Sequence, residues 1–147
     1  PLLANIPTGT PTTPEGQPVA LPAAFEDGPS LAGWELNAEQ VTPGETLRLI
    51  TYWQVEEPLT PPLSVFVHIV NAEGQPIAQW DGWPVATTGL EPGDIIVLEH
   101  ALTLPSDTPS GTYPLQVGLY RPPDGARFPV AGTDRVFLAV ITSSPPN

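Results

Sequence analysis

The residues best suited to contact a ligand lie close together, in the stretch Gln79-Trp80-Asp81-Gly82-Trp83. Two indoles separated by Asp-Gly could offer a stacking surface for the apolar face of a sugar, with one carboxylate to accept its hydroxyls. Trp80, Asp81 and Trp83 are therefore the candidate ligand-binding residues, and the competing expectation is that the indoles close the open end of the fold as a lid. The other two tryptophans, Trp34 and Trp53, alternate with leucines and are expected in the core. Catalytic chemistry finds little support. There is no Cys, no G-x-S-x-G elbow, and neither His68 nor His100 lies in a motif with a nucleophile or with metal-ligand spacing. Asp81, Glu91 and Asp94, or Asp124 and Asp134, form oxygen-rich loops, but their spacing does not match an EF-hand. The expectation is a protein that is not an enzyme, with no catalytic residues, no metal site and no cofactor.

Charge narrows the partners. Sixteen Asp and Glu stand against four Arg (Arg48, Arg121, Arg127, Arg135) and no Lys, a formal net charge of -12 in 147 residues. Such a surface repels phosphate backbones and anionic headgroups, so nucleic acid is not an expected partner. No apolar run approaches the roughly 20 residues of a membrane span, so direct insertion of this chain is not expected either. The remaining partners are a neutral glycan or the rest of a parent chain. Without Cys, the sequence is silent on redox compartment.

Strands must position these residues. The segment LPSDTPSGTYPLQVGLY, Leu104 to Tyr120, reads as a corner feeding a regular strand, with Tyr113, Leu115, Val117 and Leu119 on one face. A Tyr at such a corner, two residues before a core position, is how strand F of an immunoglobulin-type sandwich begins. The Tyr113 ring is expected inside, with its hydroxyl turned back to a backbone group of the corner. Upstream, Ser30 to Leu36 is a first strand with Trp34 and Leu36 inward, and Leu31, Gly33 and Glu35 facing out. Pro43-Gly44 carries the type II turn signature. Thr46 to Val55 follows with Leu47, Leu49, Thr51, Trp53 and Val55 inward. Leu63 to Val70 is apolar on both faces, as a covered central strand requires. Asn71 to Gln75 makes a hairpin turn into Pro76 to Trp80, a short run whose proline suits a sheet edge. Ile95 to Leu104 presents Ile96, Leu98, His100 and Leu102 to the core, and Arg135 to Ile141 closes the fold.

The expected fold class is thus all-β, an immunoglobulin-like antiparallel β-sandwich of seven to eight strands, with a jelly roll as the alternative architecture. Its core should contain Leu47, Leu49, Trp53, Val67, Leu98, Tyr113, Leu115, Val117 and Leu119. Residues 1–24, rich in Pro and Thr without periodicity, read as a linker or a segment draped over the domain. The sandwich occupies 25–142, and 143–147 is a tail.

Three stretches, FVHIVNAEGQPIAQWDGWPV (Phe66 to Val85), LEPGDIIVLEHALTLP (Leu90 to Pro105) and SGTYPLQVGLYRPPDGARFPV (Ser110 to Val130), resemble a bacterial domain appended to large polytopic membrane proteins. The parents are similar to dolichyl-phosphate-mannose-type glycosyltransferases. With Thr42 to Gln54 as the second strand, the resemblance covers most of residues 31–141. It implies a non-catalytic, extracytoplasmic accessory β-sandwich, structural or interactive in role, whose parent holds the catalytic centre within the membrane. The alternative is a carbohydrate-binding module. One departure stands out: relatives often carry a Trp ahead of the PGE/PGD turn, where this chain has Thr88-Gly89-Leu90, so an aromatic ligand site is not carried over there.

Overall fold

A computed structural model of the chain describes residues 9–144. The described residues form ten strands and no helix: β1 (Ala23–Ala24), β2 (Ser30–Leu36), β3 (Gln40–Val41), β4 (Thr46–Gln54), β5 (Ser64–Val70), β6 (Pro76–Gly82), β7 (Ile95–Thr103), β8 (Gly111–Arg121), β9 (Ala126–Arg127) and β10 (Val136–Ser143). The seven long strands lie where apolar alternation places them, and the other three are two-residue pieces, β1 and β3 at sheet edges and β9 on β8 beyond the end of its pairing with β10. One sheet has the order β1-β2-β4-β7. The other runs β3-β10-β8-β5-β6, with β9 paired to β8. Every pairing is antiparallel except β3 with β10, so the larger sheet is mixed rather than purely antiparallel. Two residues of parallel ladder, Thr142 with Gln40 and Ser143 with Val41, escape sequence reading because they carry no periodicity.

Alternation dictates what lies between the sheets. Leu47, Leu49, Trp53, Val67, Leu98, Tyr113, Leu115, Val117 and Leu119 are all buried in one continuous core with side chains from both layers. At about 25 cal/mol per Å² this burial is the main source of stability. The first strand departs from the expected phase. Leu31, expected outward, is fully buried, while Trp34 and Leu36 also pack against the core. The reason is a register shift between Leu31 and Gly33 in the pairing with β4. One extra residue in a strand turns the following side chains to the other face, so both ends of β2 can point inward.

Turns behave as their residues require. Gly44 has φ of 91°, and Glu45 N–H donates to Thr42 O at 2.9 Å, which closes a turn around Pro43-Gly44. At the corner before β8, Tyr113 Oη–H donates to Pro109 O at 2.7 Å while its ring sits in the core.

The N-terminal segment is draped on the domain over its described part. Thr12 N–H donates to Phe137 O at 2.9 Å, and Phe137 N–H donates to Thr12 O at 2.7 Å. Val19, Ala23 and Phe25 enter the core. The free edge of β10 is thereby covered at one end by Thr12 and at the other by β3, which removes a template for unwanted strand pairing.

Candidate ligand-binding site

The edge strand β6 carries Trp80 and Asp81 and pairs with β5, placing Trp80 beside Val67 and Asp81 beside Phe66. Val67 points into the core, so Trp80 does too. Its ring meets the His100 imidazole edge-on, with centroids 4.3 Å apart and planes at 79°. Asp81 projects from the opposite face, exposed to water. Trp83, just past the strand, is half-buried against the core, and its Nε1 is buried without a hydrogen-bond partner. The two indoles and the carboxylate therefore do not converge on one surface. Trp53 is fully buried against Phe25, and half-buried Trp34 packs where a side chain on Gly9 would collide with its ring.

Beneath Trp80 lies a buried polar centre between the sheets. Thr51 and His100 are both fully buried, with Thr51 Oγ1 2.7 Å from His100 Nε2. The Trp53 indole N–H donates to the same hydroxyl at 2.8 Å. Thr51 thus accepts from Trp53 and shares a second hydrogen bond with Nε2, in which its hydroxyl can donate to a neutral imidazole. Burial pushes the His100 pKa down to about 4, and Nδ1 has no partner. A histidine held in this way is packing rather than a free acid–base group.

The outer face of the larger sheet holds a second polar network, which spans β5, β6, β8 and the connection into β10. Phe66 is buried there because β8 offers Gly118 opposite it; a Cβ at that position would come within 2.3 Å of the ring. Arg127 lies over the Phe66 ring at 4.4 Å from its centroid. Gln116, also buried, holds its Nε2 3.4 Å from His68 Nδ1 and accepts a hydrogen bond from Arg135 Nε at 2.9 Å. Asp134 accepts from Arg135 at 2.7 Å and from Arg127 at 3.1 Å. Burial alone would raise the Asp134 carboxyl, but the two guanidiniums outweigh it and hold the group below its ordinary range. For His68, burial is the main influence and lowers its pKa; Asp81 opposes that and Arg127 adds to it.

The oxygen-rich loops are engaged in local structure. Asp94 Oδ2 accepts the Glu91 N–H at 2.8 Å, and Asp124 Oδ1 accepts the Ala126 N–H at 3.0 Å, each capping its turn. Among the described residues, no three His, Asp or Glu approach closely enough to share a metal ion.

Sequence reasoning did not assemble Gln116, Arg127, Asp134 and Arg135. The signal available was Gln116 itself, the one amide among the outward positions of a strand that turns Tyr113, Leu115, Val117 and Leu119 inward. The arginine partners come from a loop and a strand end, where no period exists.

Fold and faces together define a class: an all-β, two-sheet sandwich with a sealed core and a polar network on its larger sheet. No family model matches the chain, and no curated protein proves similar to it.

Proposed function

We propose that this chain is an immunoglobulin-like, non-catalytic accessory module, carried outside the cytoplasm by a larger membrane-anchored protein of glycosyltransferase type. Its role is to space, or to bind, through its surfaces. The observation that carries the immunoglobulin-like reading is the Tyr113 hydroxyl bound to Pro109 O at the corner opening β8. The strand order supports it, with β2-β4-β7 facing β10-β8-β5-β6. The non-catalytic reading is supported by where the titratable groups are spent. His100 is tied to Thr51 inside the core, His68 faces Gln116, and Asp134 is neutralised by two arginines. The hydroxyl beside His100 is that of fully buried Thr51, out of reach of a substrate.

The test is direct. The isolated domain should hydrolyse neither aryl glycosides nor esters, and turnover abolished by one His or carboxylate substitution would refute the reading. The setting is tested by the full reading frame: it should encode transmembrane segments on the same polypeptide.

A second reading, neutral-glycan binding at Trp80, Asp81 and Trp83, draws on the unpartnered Trp83 Nε1, a donor that a sugar hydroxyl could satisfy if the following loop moved aside. Trp83→Ala should then abolish retention on a glycan array without lowering the melting temperature.

A further inference from the structure

The chain's few cations are not spread evenly over its surface. A groove of about 480 Å³ crosses the outer face of the larger sheet, between the β5–β6 turn and Phe137. Arg127 and Arg135, two of only four arginines, line it, and none of the sixteen Asp and Glu does. By contrast, the larger cleft at one end of the sandwich is lined by Asp27, Glu56 and Glu57 with a single arginine. Asp134 neutralises one of the two groove arginines from the side, Asp81 lies on the same face outside the lining and acts on His68, and both guanidiniums keep N–H donors beyond those spent on Asp134 and Gln116. The rest of the lining mixes hydrogen-bonding groups, His68, Gln116 and Thr112, with the half-buried ring of Phe137.

We propose that this groove binds a sugar acid, its carboxylate held by Arg127 and Arg135 and its ring resting toward Phe137. Guanidinium forks match the planar carboxylate with paired, charge-assisted hydrogen bonds. Lined in this way, the groove suits a ring with one apolar face and several hydroxyls, and its volume falls in the range of small-ligand sites. His68, kept neutral by its burial, can accept from or donate to a hydroxyl without adding charge. The surrounding net charge of -12 disfavours a long polyanion, which would have to lie across acidic surface, and selects a ligand with a single charge at its end. The inference goes beyond the module reading and does not depend on it, since a binding face is compatible with either setting.

The experiment is an amide chemical-shift titration of the domain with glucuronate, alongside glucose and inorganic phosphate. Glucuronate should shift the amides of residues 68–75, 112–116 and 135–137 and saturate, while glucose leaves them in place and phosphate binds more weakly. Arg127→Gln should weaken glucuronate by at least about tenfold, the loss of one charge-assisted pair, without changing the fold. If that variant melts early, Arg127→Lys keeps the charge and the stem over Phe66 but loses the fork, and it should weaken binding as well. Equal shifts with glucose, equal affinity for phosphate, shifts elsewhere only, or undiminished binding by the arginine variants would each overturn the proposal.

Discussion

At the scale of single residues, two buried polar contacts make predictions of different kinds. Tyr113→Phe removes the hydroxyl that holds Pro109 O and leaves the ring in place, so it should cost about 1 kcal/mol in a denaturant titration. An unchanged midpoint would mean that the corner is held by its prolines alone. His100 makes stability depend on pH. Its folded pKa is depressed to about 4 against 6.5 in the unfolded chain, so its contribution is complete above pH 6.5. As pH falls below 6.5 the unfolded chain takes the proton first, and stability is lost down to about pH 4, by up to about 3 kcal/mol. His68 shifts in the same direction and adds to the fall. Urea titrations at pH 7 and pH 4.5 should show the drop, and His100→Gln should make it shallower.

Elements set how well those residues are shielded. Strand β6 is an edge strand that begins at Pro76, yet it places Trp80 over His100 and closes the gap between the free edges of the two sheets. Trp80→Ala should let water reach the imidazole and raise its pKa toward 6.5, so the His100 ring protons should titrate at visibly higher pH in the variant than in the parent. Identical titration curves would show that another element supplies the shield. The β2 bulge makes the same point about strands. Leu31 and Trp34 both reach the core because the ladder slips between them, which no count of alternating residues foresees.

For the molecule as a whole, the N-terminal segment belongs to the folded unit. Removing residues before Leu21 breaks two backbone hydrogen bonds at Phe137 and uncovers the site of Val19. The truncated protein should lose about 2–4 kcal/mol and melt several degrees lower. A truncation that melts with the intact chain would show that the segment only decorates the sandwich. Extended, proline-rich chain carries no period, so its docking could not be read from composition; the free edge of β10 and the core position of Val19 give it a place.

Apolar alternation with turn chemistry was enough to determine the all-β class, the seven long strands, the core faces of β4, β7 and β8 and the tyrosine corner. Those features depend on neighbours in sequence: side-chain direction repeats every two residues, and Pro43-Gly44 closes its own turn. Only the tertiary structure decided the slip in β2, the parallel contact of β3 with β10, the separation of Asp81 from Trp80 and Trp83, and the meeting of Arg127, Asp134, Arg135 and Gln116. Each joins residues far apart in the chain or turns on which sheet face a strand presents. Register and sheet order set such distances, and both follow from how the whole core packs rather than from any local stretch.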